Sequence, residues 1–200
     1  MQKITVLVSG GGTNLQAIID AIESGEIENA KIVQVISSNS KAFSLERAKK
    51  HGICAKVIGK EVYSDPMKRS EALLCALKEE RTDLVVLAGY MSVLDVSLIQ
   101  EYEGRMINIH PSLIPKYCGK GYYGKRVHQA VLDNGESTTG ATVHFVDEGV
   151  DTGEIILQER VPVQDEDTAD TLAARVLVTE HKILIEAIKK LTEEKNRGGK

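Results

Sequence analysis

Two polar side chains share one face of a short apolar segment near the middle of the chain. In an extended segment successive side chains alternate between faces, so Asn108 and His110 point to the same side. Ile107 and Ile109 then face a core on the other side. Pro111 follows directly and ends the strand, because it has no backbone N–H to give to a sheet. Since open α/β sheets bind ligands at the carboxyl ends of their strands, the pattern predicts an amide and an imidazole at a ligand site.

A carboxylate from a glycine-containing loop completes the candidate catalytic set. The segment 147–153 has the sequence DEGVDTG, which is longer and more acidic than a simple hairpin requires. Asp147 and Glu148 are best explained as turn formers, whereas Asp151 is a candidate partner of His110. If it lies near the imidazole, its charge would raise the pKa of His110 and provide a general acid at neutral pH. Amide, imidazole and carboxylate together suit the attack of a nucleophile on a carbonyl group.

A run of glycines joins the first predicted strand to the first predicted helix. The segment 9–14 has the sequence SGGGTN. Glycines let the backbone approach a ligand closely, and free N–H groups at a helix N-terminus attract an anion. The alternative is a tight turn capped by Thr13 or Asn14. A dinucleotide site would need a glycine at the position of Leu15, and a P-loop would need a lysine after the last glycine, so a single phosphate monoester is the better prediction.

The last predicted helix carries a carboxylate within its apolar stripe. Apolar residues three and four positions apart form this stripe, and Glu180 interrupts it. A buried carboxylate needs a partner, which favours contact with ligand hydroxyl groups. The alternative is a glutamate at the edge of the stripe that reaches solvent.

The remaining histidines are weaker candidates. His144 shares a strand face with Thr142 and is a candidate neighbour of the catalytic set. His51 ends a predicted helix, and His128 and His181 lie in predicted helices, where they can be surface residues.

Apolar runs alternate with segments of helical periodicity along the chain. The predicted strands are 3–9, 32–38, 55–58, 84–88, 105–109, 142–146 and 154–161. The predicted helices are 14–24, 43–51, one that starts at Pro66, 94–102, 127–134 and 168–195. Near-continuous apolar strands separated by helices are typical of a mostly parallel sheet covered on both faces. The predicted fold class is therefore α/β, with helices on both faces of a mostly parallel sheet and an antiparallel strand near the C-terminus.

The composition narrows the class of protein. A chain of 200 residues with 42% hydrophobic residues can bury one sizeable core. A net charge of −4 without a basic block argues against nucleic acid as a partner, and no apolar run is long enough to span a bilayer. The cysteines, Cys54, Cys75 and Cys118, are far apart and lack metal-ligand spacing. We therefore expect no metal, no disulfide framework and a cytoplasmic location.

Several segments, taken in order, resemble the phosphoribosylglycinamide formyltransferases, a folate-dependent family of purine synthesis. They are SGGGTNLQAIIDA, LVVLAGYM, INIHPSLIPKY, ATVHFVDEGVDTGEIILQ and the closing helix. The Asn-x-His-Pro-Ser-Leu segment and the downstream aspartate are specific for the wider group of formyltetrahydrofolate-using enzymes, and the glycine loop points to this family within the group. The resemblance implies one Rossmann-like formyltransferase domain over 1–200. Within it, 1–105 would bind phosphate, 106–195 would bind folate and carry out catalysis, and 196–200 would be a frayed tail.

The resemblance also implies roles for individual residues. The catalytic residues would be Asn108, His110 and Asp151. The substrate-binding residues would be Gly11, Gly12, Thr13 and Asn14 at the phosphate, Glu180 at the ribose hydroxyls, and Pro111. The folate would contact, largely through backbone groups, Met91, Ser92, Val93, Leu94, Asp147, Glu148, Gly149 and Val150.

The implied activity is formyl transfer from 10-formyltetrahydrofolate to the amine of glycinamide ribonucleotide. The resemblance implies small-molecule partners only, with no metal, nucleic acid or membrane, and a monomer or homodimer. Asn108 and His110 would stabilise the oxyanion, and Asp151 would keep His110 protonated. A formyltetrahydrofolate hydrolase is an alternative that usually carries an additional N-terminal domain, and a methionyl-tRNA formyltransferase would need a basic C-terminal domain. A non-catalytic nucleotide-binding module is a further alternative, but it would give Asn108, His110 and Asp151 no function.

Overall fold

A seven-stranded mixed sheet lies at the centre of the protein, in a computed structural model that describes residues 1–198. The strands are β1 (Gln2–Val8), β2 (Ala30–Ser37), β3 (Ala55–Val57), β4 (Leu84–Leu87), β5 (Met106–His110), β6 (Thr138–Phe145) and β7 (Ile155–Pro162). Their order in the sheet is β3-β2-β1-β4-β5-β6-β7. The first five strands are parallel, and β6 and β7 are antiparallel to their neighbours. This confirms the predicted fold class.

Helices cover both faces of the sheet. They are α1 (Thr13–Glu23), α2 (Phe43–Lys50), α3 (Pro66–Glu79), α4 (Val96–Glu101), α5 (Lys125–Asp133) and α6 (Ala169–Gly198). Alternation along β1 sends Ile4 and Val6 into a core with α1 and α6, and Leu7 into a second core with α3 and α4. None of the helices within residues 1–198 is both long and apolar enough to cross a membrane.

The largest differences from the predicted element ends are at the start of β6 and at the end of α6. β6 begins at Thr138 rather than at residue 142, so Gly140 lies inside the strand. A Cβ on Gly140 would lie 2.0 Å from the carbonyl oxygen of Glu159, so the close approach of β7 requires the glycine. Helix α6 continues to Gly198, into the segment 196–200 expected to be a frayed tail, and residues 199–200 lie outside the described part of the chain.

The strand order creates a crevice at the carboxyl edge of the sheet. β2 and β3 lie on one side of β1, and β4 and β5 lie on the other. In such a doubly wound sheet, the loops that follow the two strands at the reversal point diverge and leave room for a ligand. Here those loops follow β1 and β4, and a hydrogen bond of 2.8 Å from the Met91 N–H to Ser9 Oγ connects them.

Candidate active site

Asn108 and His110 lie on one face of β5, at the carboxyl end of the strand. Ile107 and Ile109 are buried in the core on the opposite face. The antiparallel register places His144 of β6 directly opposite Asn108. Because residues directly opposite each other project to the same side of a sheet, an imidazole from the neighbouring strand joins the predicted pair.

Asp151 reaches these side chains from the loop between β6 and β7. Its Oδ1 accepts a hydrogen bond of 3.3 Å from Asn108 Nδ2 and lies 3.6 Å from His144 Nε2. Its Oδ2 lies 3.6 Å from His110 Nδ1 and accepts a hydrogen bond of 2.9 Å from the Gly119 N–H. The backbone of Asp151 has φ of 59°, a left-handed conformation that aspartate tolerates better than most residues. The carboxylate therefore lies at the centre of the cluster that the structure forms from Asn108, His110 and His144.

Backbone carbonyls determine which ring nitrogens carry hydrogen. His110 Nε2 lies 2.9 Å from the Tyr117 carbonyl oxygen, and since a carbonyl only accepts, Nε2 is the donor. The nitrogen of His110 that gains or loses a proton is therefore Nδ1, which faces Asp151. His144 Nδ1 likewise donates to the Phe145 carbonyl over 2.7 Å. In the neutral ring, His144 Nε2 is then free to accept from Asn108 Nδ2, which lies 3.1 Å away.

The side-chain amide of Asn108 is oriented by two acceptors. Its nitrogen donates to His144 Nε2 and to Asp151 Oδ1, and the second contact is the longer of the two. An amide carries two N–H donors, so both are engaged within the cluster. Donation from Asn108 to a reacting oxygen therefore requires exchange of the weaker contact with Asp151.

His110 is only 5% exposed, and this burial has the largest influence on its pKa. Burial lowers the pKa of His110 below its usual value, and the hydrogen bond to Tyr117 and the charge of Asp151 offset only part of this effect. The expectation that Asp151 keeps His110 protonated at neutral pH is therefore wrong, although the charge acts in the predicted direction. A neutral His110 presents an unprotonated Nδ1 that can accept a proton.

Asp151 keeps its charge in spite of its environment. Burial acts to raise the pKa of Asp151, but the contact with His144, the charge of His110 and the hydrogen bond from the Gly119 N–H together lower it below the usual value. The carboxylate is ionised at neutral pH and can stabilise a positive charge on the His110 imidazole.

The glycine loop leaves the start of α1 without a side-chain cap. Gly12 is the N-cap residue, with φ of 72°, and Thr13 and Asn14 lie inside the helix. The alternative of a turn capped by Thr13 or Asn14 is therefore excluded. The first N–H groups of the helix point out of its end and, with the helix dipole, favour an anion. A Cβ on Gly12 would lie 2.6 Å from Ser44 Cβ, so the loop conformation requires glycine there.

Asn14 and Glu180 connect α1 with α6. Asn14 Nδ2 donates to Glu180 Oε2 over 2.9 Å, and Glu180 is only 9% exposed, so the alternative of a solvent-reaching glutamate is wrong. Burial raises the pKa of Glu180, and the hydrogen bond from Asn14 lowers it by less. Asn14 Oδ1 is buried without a hydrogen-bond partner among the described residues. An unpaired buried acceptor is costly, and a ligand hydroxyl group would satisfy it.

Two loops present apolar side chains to solvent. Met91 and Val93, after β4, and Val150, before Asp151, are exposed. Asp147 Oδ1 accepts from the Gly149 N–H over 3.1 Å, so this carboxylate shapes its own loop, as its interpretation as a turn former predicts. Exposed apolar groups on loops are suited to covering a flat ring system.

Sequence reasoning missed the contribution of the loop that follows Pro111. This loop supplies the Tyr117 carbonyl to His110 and the Gly119 N–H to Asp151. Backbone groups have no signature in the sequence, so no signal could have identified them. His144 carried a weak signal, its strand face, and only the β5–β6 register shows that it contacts Asn108 and Asp151. Within residues 1–198, no group of three or more His, Cys, Asp or Glu side chains is arranged to hold a metal ion.

His128 is buried on α5 and is not one of the surface residues that a helical position allows. The residue is 3% exposed, and burial, with a smaller contribution from the charge of His110, lowers the pKa of His128 to about 4. Its Nδ1 has no hydrogen-bond partner among the described residues, so protonation would leave a buried charge unpaired.

We expect His128 to make the fold acid-sensitive. The pKa of His128 is 6.5 in the unfolded chain and about 4 in the folded protein. Protonation therefore favours the unfolded chain, and the folded protein loses stability as the pH falls from 6.5 toward 4. The loss should be on the order of 3 kcal/mol. Urea unfolding of the wild-type protein and of His128→Gln at pH 7 and at about pH 4.5 measures it. The variant should lose less stability between the two conditions, and equal losses would contradict the assignment.

Comparisons with known proteins bear on the family and the fold of the chain. The model of the family described as Formyl transferase matches residues 2–188. The chain is 43% identical over 197 residues to the phosphoribosylglycinamide formyltransferase of Haemophilus influenzae, covering 98% of this chain and 90% of that protein. It is 40% identical to the chloroplastic phosphoribosylglycinamide formyltransferase of Vigna unguiculata over 97% of this chain, and it spans 62% of that protein's length.

A solved structure gives the same result for the fold. The crystal structure of glycinamide ribonucleotide transformylase 1 from Symbiobacterium toebii superposes with a TM-score of 0.91 at 40% sequence identity. The match covers 97% of this chain and 89% of that one.

Proposed function

The chain belongs to the formyl transferase family, and we propose that it transfers the formyl group of 10-formyltetrahydrofolate to the primary amine of glycinamide ribonucleotide. The products are formylglycinamide ribonucleotide and tetrahydrofolate. The observation that carries the proposal is the cluster of Asn108, His110 and Asp151 beside the crevice between the β1 and β4 loops. This cluster supplies both proton transfer and hydrogen-bond donors to a carbonyl under attack.

The crevice has complementary groups for both substrates. The uncapped start of α1 suits the phosphate, and the unpaired Asn14 Oδ1 together with Glu180 suits the ribose hydroxyls. We assign the pterin ring to the space beside Met91, Val93 and Val150, whose apolar side chains are exposed. In this arrangement the substrate amine and the formyl group meet beside β5.

His110 acts first as a base in the proposed mechanism. As the amine nitrogen bonds to the formyl carbon, His110 Nδ1 accepts the amine proton, while Nε2–H stays on the Tyr117 carbonyl. Asp151, 3.6 Å from Nδ1, stabilises the imidazolium that forms. Asn108 exchanges its long contact with Asp151 for the oxygen that gains negative charge.

The second half of the reaction returns the proton. His110 Nδ1–H gives its proton to the folate nitrogen as the bond between that nitrogen and the formyl carbon breaks. One proton leaves the amine and one reaches the leaving nitrogen, so the protein ends in its starting state without any redox change. His110 therefore starts the cycle neutral, in agreement with its lowered pKa.

A mass-spectrometric assay tests the proposed function. The purified protein is incubated with glycinamide ribonucleotide and 10-formyltetrahydrofolate, and the ribonucleotide should gain the mass of one CO unit. Release of formate with unchanged ribonucleotide would instead indicate a formyltetrahydrofolate hydrolase. No reaction of either compound would leave a nucleotide-binding module as the function.

The proposal limits the partners to these small molecules. The net charge of −4 disfavours nucleic acid, and we propose that the protein works in the cytoplasm, as a monomer or a homodimer, on freely diffusing substrates.

Gly12→Ala should weaken binding of the ribonucleotide selectively. The left-handed φ of 72° and the 2.6 Å approach of a Cβ to Ser44 both force the loop to shift, which misaligns the N–H groups. We expect the KM for the ribonucleotide to rise about tenfold or more, with the KM for the folate nearly unchanged. Gly10→Ala is the matched control, because a Cβ at Gly10 meets nothing within 4 Å. Equal weakening of both substrates would show that the loop is merely structural.

A further inference from the structure

Helix α2 donates hydrogen bonds to two backbone carbonyl groups of the glycine loop. The Ser44 N–H, in the first turn of α2, donates to the Gly10 carbonyl oxygen over 3.1 Å. One turn later, Arg47 Nε donates to the Gly11 carbonyl oxygen over 2.9 Å. Two successive carbonyls of the loop are therefore directed toward α2.

The orientation of these carbonyls fixes the orientation of the neighbouring N–H groups. In a planar trans peptide the C=O and the following N–H point in opposite directions. When α2 binds the carbonyls of Gly10 and Gly11, the N–H groups of Gly11 and Gly12 are directed away from α2. Successive N–H groups that point to one side form an anion-binding concavity.

Arg47 also brings positive charge to a loop that has none. Residues 9–14 carry no charged side chain, whereas a phosphate monoester carries close to two negative charges near neutral pH. The guanidinium is held in place by a hydrogen bond of 3.1 Å from Nη1 to Gln16 Oε1 and by stacking over the Phe43 ring, 5.0 Å from its centroid. A cation fixed by three contacts loses little freedom when an anion binds.

We propose that Arg47 is a positioning residue for the phosphate group of the substrate. It acts through its hydrogen bond to the Gly11 carbonyl oxygen and through its positive charge. The inference rests on the proposed function and extends it, because it makes α2 responsible for selecting phosphorylated over unphosphorylated amines. Ser44 contributes only a backbone N–H, so Arg47 is the side chain of α2 on which this selection depends.

Three variants test the proposal. Arg47→Ala removes both the contact and the charge, and Arg47→Lys keeps the charge and one donor but cannot reach Gly11 and Gln16 with separate nitrogens. Lys50→Ala is the matched control, since it removes one exposed positive charge from the same helix. Steady-state kinetics are measured with glycinamide ribonucleotide and with the corresponding riboside, which lacks the phosphate.

Arg47→Ala should lower kcat/KM for the ribonucleotide about tenfold or more through KM, and leave kcat/KM for the riboside and the KM for the folate unchanged. Arg47→Lys should recover part of the loss, and Lys50→Ala should behave as wild type. Equal losses for ribonucleotide and riboside would mean that Arg47 only supports the fold, and would overturn the proposal.

Calorimetric titration with inorganic phosphate separates this proposal from the proposed function, because it requires no formyl transfer. Wild-type protein and Lys50→Ala should bind phosphate with similar affinity, and Arg47→Ala should bind it about tenfold more weakly. Equal binding by Arg47→Ala and wild type, or no binding by wild type, would overturn the role of Arg47 even if formyl transfer were observed. Loss of binding in Arg47→Ala would support that role even if formyl transfer were absent.

Discussion

Replacing His110 with alanine should lower kcat by about a hundredfold or more, with little change in the KM of either substrate. The variant loses Nδ1, which accepts the amine proton, and the imidazolium that would face the developing negative charge. Asn108→Ala should give a loss of similar size, since a donor to a developing oxyanion typically contributes that much. Steady-state kinetics with both substrates measure these effects, and near-wild-type turnover in either variant would contradict the assignment.

A second His110 variant separates chemistry from folding. Because His110 is buried and holds the Tyr117 carbonyl, alanine leaves both a cavity and an unpaired acceptor. The side-chain amide of His110→Gln can still donate to that carbonyl but cannot exchange a proton. We expect His110→Gln to unfold thermally closer to wild type than His110→Ala does, yet to be as inactive. If the glutamine variant regained activity, positioning of the loop would be the main task of His110.

The parts of the candidate site that can be predicted from the sequence are those that follow from a local pattern with a single structural outcome. Alternation followed by proline places Asn108 and His110 on one face at the end of β5. Three glycines between an apolar strand and a helix place the loop 9–14 at the start of α1. In both cases the pattern depends on residues adjacent in the chain, so the prediction needs no knowledge of the tertiary fold.

Interactions between distant segments could not be predicted in this way. The contacts of His144 depend on the β5–β6 register, and those of Tyr117 and Gly119 depend on the path of a loop. The protonation of His110 was predicted wrongly for a related reason. A nearby carboxylate is suggested by a motif, whereas the burial that outweighs its charge is a property of the packed protein.

Asp151→Asn should lower the pKa of His110 further and reduce kcat severely. The substitution removes the negative charge beside Nδ1 with little change in shape, and asparagine tolerates the left-handed φ of 59° as well as aspartate does. We expect the pKa of His110 to fall by about one unit, because a charge within about 4–6 Å typically shifts a pKa by that amount or more. NMR titration of the His110 ring in both proteins measures the shift.

The pH dependence of turnover distinguishes the two ways in which Asp151 could act. If Asp151 stabilises the imidazolium, Asp151→Asn lowers kcat and moves the acid limb of the rate profile to lower pH, because a weaker base stays unprotonated in more acidic solution. If Asp151 only holds the Gly119 N–H and the Asn108 amide, kcat falls but the acid limb and the NMR pKa stay where they are. An unchanged or raised pKa of His110 in the asparagine variant would therefore remove the electrostatic part of the mechanism. The contribution of Asp151 would then be the geometry of Asn108 and of the loop.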